Sequence, residues 1–123
     1  MGLLNLQMQF VDDVMSKLIP FINSHGLLIT FGECLRTVEQ QKLYFDQGKS
    51  KTMDSQHIKK LAIDLNFFYP IKLTLISDRN IIKPIGDYWE SISIQHRWCG
   101  SWRGLIDSGK SSFIDIPHFE IKD

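Results

Sequence analysis

The sequence is poor in the features that mark secreted, membrane-embedded and nucleic-acid-binding proteins. It has two cysteines, Cys34 and Cys99, in unrelated contexts without paired spacing. We therefore expect reduced thiols, although the sequence alone leaves a disulfide open. Lysine plus arginine number 14, and aspartate plus glutamate also number 14, so the positive charge that binds nucleic acid or anionic lipid is missing. A small or modestly charged substrate is the partner that this composition favours.

The N-terminal segment lacks the pattern of an export signal or a membrane span. It has no basic start and no sustained apolar core, because Asp12 and Asp13 interrupt its apolar residues. We expect a protein made in the cytoplasm without a signal peptide and not inserted in a membrane. The length of 123 residues fits one domain, so residues 1–123 are predicted to form a single functional unit.

Apolar spacing and capping residues predict three helices. The predicted helices cover residues 4–19, 37–47 and 83–93. The first should bend or end near Pro20, because proline lacks the N–H that a helix interior needs. Thr37, with Gln40 three residues later, makes a capping box for the second helix, and Gly48 is a natural stop.

The remaining apolar runs are short enough for strands. The predicted strands cover residues 27–36, 61–69, 71–76 and 113–122, the third being a partner for the second. Residues 96–112 are rich in glycine and tryptophan and are expected to form a loop. This order of elements predicts an α+β fold, a single compact domain with a small, mostly antiparallel sheet and about three helices.

Two short segments contain residues suited to a metal site. In "SQHIKKLAID", His57 and Asp64 are seven residues apart, which is too far for one ion on a continuous helix or strand. A turn near Lys59 and Lys60 would bring them together. An unpaired aspartate within an apolar run is costly, and a cation would compensate for it. The alternative is a surface histidine beside a polar residue at the mouth of a strand.

The second segment is "DIPHFE", in which Asp115 precedes His118 by three residues. Pro117 makes a plain strand with alternating side chains improbable here, and a local turn would direct both side chains into one pocket. Catalytic zinc uses three protein ligands and leaves one position open. With His57 and Asp64, His118 would complete such a set, and Asp115 would act as the base.

These motifs resemble those of the zinc D-alanyl-D-alanine metallopeptidase family, which includes D-alanyl-D-alanine carboxypeptidases, dipeptidases and phage L-alanyl-D-glutamate endopeptidases. "SQHIKKLAID" is similar to its Ser-x-His-x-x-Gly-x-Ala-x-Asp signature, and "DIPHFE" to its closing motif. "LRTVEQQKLYFDQGKSKT", "GDYWESI" and "RWCGSW" resemble stretches of the phage branch. The similarity covers roughly residues 27–121, in the order of the family.

The resemblance implies a role for several residues. It implies one Zn²⁺ per chain with the ligands His57, Asp64 and His118. It implies Asp115 as catalytic base and Arg36 as a residue that holds the substrate or polarises its carbonyl. Ser55 would lie near the substrate. Independently of the resemblance, Trp98 and Trp102 in the glycine-bearing loop are candidates for a substrate-binding groove, with packing as the alternative, and we take Trp98 as the substrate contact.

Two positions depart from the family pattern. Lys60 stands where the signature has glycine, so a turn that needs a positive φ would have to change. Cys99 replaces a frequent glycine in "RWCG". No base is paired with it in the sequence, so we interpret it as a packed neutral thiol.

The resulting expectation is a zinc peptidase acting on peptidoglycan stem peptides, an endolysin-like L-alanyl-D-glutamate endopeptidase of a phage or prophage. We expect a monomer that reaches the wall after release, through a membrane lesion made by a separate protein. The alternatives are a D-alanyl-D-alanine carboxypeptidase or dipeptidase on the same scaffold, and a non-catalytic, zinc-stabilised wall-binding domain.

Overall fold

The computed structural model describes residues 2–50, 52–110 and 114–123. The helices are α1 (Leu3–Asp13), a π-helical segment (Val14–Leu18), α2 (Ile19–Ser24), α3 (Val38–Asp46) and α4 (Arg79–Ile92). The strands are β1 (Leu28–Phe31), β2 (Ala62–Phe68), β3 (His96–Trp98) and β4 (His118–Ile121). Within these described ranges, no helix is long and apolar enough to cross a lipid bilayer.

The first predicted helix passes through Pro20 rather than stopping there. The π-helical segment lies just before this proline, and the Ile19 N–H donates to the Val14 carbonyl five residues earlier. Proline has no N–H, and its ring crowds the carbonyl four residues before it, so a wider turn relieves both problems. The helix ends at Ser24, and Gly26 has the positive φ of 74° that suits a helix end.

The sheet has four strands in the order β1-β2-β4-β3, and every pairing is antiparallel. Helices α1 and α4 cover it through aromatic contacts. The ring of Trp89 meets those of Phe10 and Phe119 edge-on, with centroids 5.9 Å and 6.3 Å apart. The α+β class, the antiparallel sheet and the three helical regions are therefore confirmed.

The segment 71–76 is not the strand that its apolar residues predicted. Only Ile76 makes a bridge, to Phe67, while Ile71 and Leu73 are 93% and 95% exposed. The segment meets β2 beyond the three residues that pair with β4, and among the described residues it makes only this single bridge there, so no ladder forms.

The region 96–112 begins with a strand rather than a loop. Strand β3 pairs with β4, and Arg97 lies opposite Glu120. The last strand is shorter than predicted and begins at His118, because Pro117 cannot donate to a ladder. Phe113, with which the predicted strand began, lies outside the described residues.

Trp98 is a core residue, which corrects its prediction as a substrate contact. Its indole is fully buried and donates to the Ile116 carbonyl at 2.7 Å. Glycines pack against the ring: a Cβ atom at Gly86 or Gly100 would lie 2.1 Å from it. The sequence placed Trp98 in a loop, but its strand position turns the side chain into the core.

Candidate metal centre

A tight turn brings the first motif together. The Lys60 N–H donates to the His57 carbonyl at 3.3 Å, and the Leu61 N–H donates to the Gln56 carbonyl at 3.0 Å. Ser55 Oγ accepts from the His57 N–H at 3.3 Å. Lys60, at the position of the signature glycine, itself adopts a left-handed backbone with a φ of 58°. The chain therefore reverses where the sequence analysis placed the turn.

The sheet supplies the other two candidate ligands. Asp64 on β2 lies directly opposite His118 on β4. Directly opposed residues of an antiparallel pair project from the same face with their Cβ atoms close together. The turn over residues 55–60 places the His57 side chain next to Asp64 and His118. Residues far apart in sequence therefore lie in one cluster.

Three potential ligand atoms converge. His57 Nε2 lies 3.1 Å from His118 Nδ1, and Asp64 Oδ1 lies 3.3 Å from each of these nitrogens. A tetrahedral zinc bound at about 2.0–2.1 Å separates its nitrogen and oxygen ligands by about 3.3–3.4 Å. The spacing therefore fits zinc without rearrangement of the side chains.

Outer hydrogen bonds fix the proton on each ring. His57 Nδ1 lies 2.8 Å from the Cys34 carbonyl, which can only accept, so the Nδ1–H donates and Nε2 is left as a free acceptor. His118 Nε2 lies 2.7 Å from Glu120 Oε1, so its N–H donates there and Nδ1 is left free. Both acceptor nitrogens point at Asp64, as metal ligation requires.

The cluster has acceptors facing acceptors. Asp64 Oδ1 is buried and has no hydrogen bond of normal geometry among the described residues. Two ring nitrogens and a carboxylate oxygen that all face one another as acceptors need a cation between them, so these three ligands fit a zinc ion.

Glu120 supports His118 from behind. It is buried, and Arg97 binds it with both Nε, at 2.9 Å, and Nη2. Burial alone would raise the pKa of Glu120, but the contacts with His118 and Arg97 outweigh it and lower the pKa. Sequence reasoning missed this residue. The signal was present in "HFE", because residues two apart on a strand share a face.

Cys99 lies beside this support but is unsuited to ligation or attack. Its Sγ is 3.9 Å from Glu120 Oε1, and Cys99, His118 and Glu120 form a second close group of potential metal ligands. Burial raises the pKa of the Cys99 thiol to about 12, so it is neutral at physiological pH. The nitrogen and oxygen it approaches already bind each other, which matches the expected packed thiol.

Asp115 lies at the edge of the cluster. Its Oδ2 is 4.0 Å from His118 Nδ1, and its side chain is 43% exposed to solvent. Partial burial raises the pKa of the Asp115 carboxyl, and the charge of Asp64 adds to the effect. A carboxylate with a raised pKa next to a metal position is suited to accept and return a proton.

The cluster opens into a cavity of about 440 Å³. His57, Asp64, Asp115 and His118 line it, as do the predicted residues Arg36 and Ser55. The Arg36 guanidinium binds Glu33, donates to Gln41 Oε1 at 2.8 Å and lies 4.8 Å above the Tyr44 ring. Every predicted site residue except Trp98 therefore faces one cavity.

Trp102 lines the cavity where Trp98 was expected to do so. Its ring centroid is 6.5 Å from that of His118, and the Arg97 guanidinium lies 5.2 Å from it. Trp102 and Arg103 have φ values of 52° and 54°, which side chains rarely adopt. Strained backbone of this kind is common next to functional sites. Sequence spacing gave no means to choose between the two tryptophans.

Known proteins match this chain over most of its length. A model of the phage L-alanyl-D-glutamate peptidase family matches residues 7–122. The L-alanyl-D-glutamate peptidase of Listeria phage A118 is 28% identical over 106 residues, which are 85% of this chain and 34% of that protein. The chain thus spans about a third of the length of this relative.

A solved structure supports the fold. The L-Ala D-Glu endopeptidase ChiX of Serratia marcescens superposes with a TM-score of 0.60 at 20% identity, covering 87% of this chain and 77% of that one. The family match includes both motifs and every residue of the cluster. This chain therefore belongs to the phage L-alanyl-D-glutamate peptidase family.

Proposed function

We propose that this protein is a zinc peptidase that hydrolyses the L-alanyl-D-glutamate bond of peptidoglycan stem peptides. The observation that carries the proposal is the convergence of His57 Nε2, Asp64 Oδ1 and His118 Nδ1 within 3.3 Å of one another at the base of an open cavity. A base, Asp115, stands beside them. Family membership supports the choice of bond.

In this proposal each residue has a distinct task. His57, Asp64 and His118 hold zinc, which when bound supplies Lewis-acid activation of water and of the scissile carbonyl. Asp115 accepts the proton of the attacking water and returns it to the leaving amine. Arg36 steadies negative charge that develops on the carbonyl oxygen. Ser55 holds the His57 turn through its hydroxyl.

The proposed setting is phage lysis. The match to a Listeria phage peptidase supports an enzyme that acts on the cell wall after release from the cytoplasm. We propose that a separate membrane-permeabilising protein gives it access, and that the enzyme acts as a monomer.

Metal content and product analysis test the proposal together. Wild-type protein should contain about one zinc per chain, and His118→Ala should lose it. Digestion of purified peptidoglycan should release peptides that begin with D-glutamate. Asp115→Ala should keep the zinc and the fold but lose hydrolysis, whereas Asp46→Ala, an exposed carboxylate on α3, should remain active.

The products also separate the alternatives. Release of D-alanine alone would identify a carboxypeptidase on the same scaffold. Wall binding without any product, from a zinc-loaded wild type, would identify a non-catalytic domain. Either result would overturn the proposed bond specificity.

A further inference from the structure

One wall of the cavity carries a cation whose charge is not neutralised. Arg36 binds Glu33, and Arg97 binds Glu120. Lys49 also lines the cavity, and its ammonium makes no ion pair or hydrogen bond with any of the described residues. Of the cavity's described cations, Lys49 is thus the one that remains available to an anion from solution.

The other charged groups of the cavity leave the Lys49 end as the place that favours an anion. Glu33, Asp54 and Glu120 are engaged by Arg36, Lys59 and Arg97 in ion pairs. Asp64 and Asp115 lie at the metal cluster, where their two negative charges would balance the charge of the proposed zinc ion. An anionic group of a substrate is therefore favoured at the Lys49 end of the cavity.

The position of Lys49 is fixed by the end of α3. Gly48 has a φ of 74°, and the N–H groups of Lys49 and Ser50 both donate to the Tyr44 carbonyl, at 2.8 Å and 3.2 Å. The backbone that carries Lys49 is therefore part of a closed turn. The Tyr44 ring lies against Arg36, so a single wall joins the turn to the proposed catalytic arginine.

A buried amide ties this turn to the centre. Gln41 is fully buried, and its Nε2 donates to Ser50 Oγ at 2.9 Å and to the Thr52 carbonyl at 2.6 Å. Its Oε1 accepts from Arg36 at 2.8 Å. The Gln41 side chain thus connects the turn that carries Lys49 to Arg36, the arginine proposed to act at the scissile bond.

The chemistry of the substrate supplies a matching anion. In an L-alanyl-D-glutamate bond the glutamyl nitrogen is acylated, and the residue carries two carboxyl groups. Only one of them can continue the peptide, so the other stands free as a carboxylate or as a carboxamide. A lysine ammonium attracts the carboxylate and gains much less from the neutral amide.

We propose that Lys49 binds the free carboxylate of the glutamyl residue and makes the enzyme prefer it to the carboxamide form. This inference rests on the proposed function, because it assumes that a glutamyl peptide occupies the cavity. Lys49 then determines specificity and plays no part in the chemical step.

The test compares two synthetic peptides that differ only in this group, a free glutamyl carboxylate or its carboxamide. Binding is measured in an Asp115→Asn background, which does not depend on turnover, and kcat/KM is measured with otherwise wild-type protein. We expect about fivefold weaker binding and lower kcat/KM for the carboxamide. Lys49→Met should abolish the difference by weakening the acid peptide alone, and Lys49→Arg should keep it.

Lys42→Met is the matched control, because Lys42 lies on α3, just before the turn that carries Lys49, and is exposed and paired with Asp46. It should leave the preference unchanged. Equal binding of the two peptides by wild type, or an equal loss for both in Lys49→Met, would overturn the role of Lys49. Failure of wild type to cleave either peptide while still preferring the acid would instead refute the proposed hydrolysis.

Discussion

Each imidazole of the candidate metal centre depends on a second group that decides which nitrogen carries the proton. For His57 this group is the Cys34 carbonyl, which any residue at position 34 would supply. For His118 it is the carboxylate of Glu120. The tautomer of His118 therefore depends on the identity of a side chain, whereas that of His57 does not. A substitution at Glu120 tests this dependence.

Glu120→Gln should weaken zinc binding by about 10- to 100-fold, because an amide fixes and polarises the His118 ring less well than a carboxylate. The measurement is a competitive zinc titration with a chromophoric chelator. The control is Asp54→Asn, which changes an exposed cavity carboxylate that lies on Lys59 and not on a ligand. Equal affinity in wild type and Glu120→Gln would show that the Glu120 carboxylate has no role in ligation.

Lys60 carries backbone strain in the turn that positions His57. A non-glycine residue in the left-handed region costs about 1 kcal/mol, whereas glycine adopts it freely. Lys60→Gly should therefore raise the free energy of unfolding by about 0.5–1 kcal/mol. Chemical denaturation measures this change. Lys60→Ala is the control, because it removes the same side chain without relieving the φ of 58°; a matching gain in both variants would rule out strain as the cause.

At the scale of elements, α4 and the sheet are joined through a glycine. Gly86 lies in the helix interior, where glycine is unfavourable by about 1 kcal/mol relative to alanine. It is needed because the Trp98 indole occupies the space of its side chain. Close contact between helix and strand thus outweighs helix propensity at this position.

Gly86→Ala should destabilise the fold by about 1–3 kcal/mol despite its better helix propensity, because the Cβ would displace a fully buried indole. Thermal unfolding measures the change. Ser91→Ala, on the exposed side of α4, should shift stability by no more than about 0.5 kcal/mol. A stabilised Gly86→Ala would mean that Trp98 can move aside at little cost.

A buried ionisable pair joins α1 to β3. His96 Nε2 donates to Asp13 Oδ2 at 2.9 Å, and Nδ1 lies 2.6 Å from Ser93 Oγ. Burial lowers the pKa of His96. For Asp13, burial acts in the opposite direction, but hydrogen bonds to Lys17 and His96 outweigh it and lower the pKa. The folded protein therefore resists protonation at both groups.

Acidification should destabilise the protein through this pair. A depressed folded pKa gives stability that is present above the unfolded pKa, 6.5 for His96, and lost as the pH falls through the folded value. The loss of unfolding free energy between pH 7.5 and 5.5 should be smaller in His96→Gln than in wild type. His25→Gln, at an exposed position, is the control. An unchanged pH slope in His96→Gln would contradict the assignment.

At the scale of the whole molecule, the candidate metal links separate parts of the chain. His57 belongs to the turn before β2, Asp64 to β2 and His118 to β4. An ion bound by all three closes the loop between residues 57 and 118, and it binds the folded state alone. Ligand binding of this kind adds to global stability by mass action.

Zinc at 100 times its Kd should stabilise the fold by about 2.7 kcal/mol, which corresponds to a Tm higher by about 10 °C. A chelator should remove this increment, and added zinc should restore it. His57→Ala should show no zinc-dependent shift, whereas Asp115→Asn should retain it because Asp115 is not a proposed ligand. A shift of equal size in His57→Ala would place the binding elsewhere.

The sequence determined the parts of this protein that depend on residue type and near neighbours. The Thr37 hydroxyl accepts from the Gln40 N–H at 3.1 Å, as its capping pattern predicted. The candidate ligand types and the turn near Lys60 could be predicted because acceptor side chains and backbone reversals have local signatures. Family resemblance, now confirmed by the match over residues 7–122, rests on the same short motifs.

Tertiary structure alone decided what depends on pairing across the chain. The register of β2 and β4 sets Asp64 opposite His118, and the packing of α4 on β3 sends Trp98 to the core while Trp102 lines the cavity. The pairing of β3 with β4 sets Arg97 opposite Glu120, whose carboxylate holds the His118 ring. The physical reason is that strand partners and ring tautomers are fixed by contacts between distant residues, which local patterns do not encode.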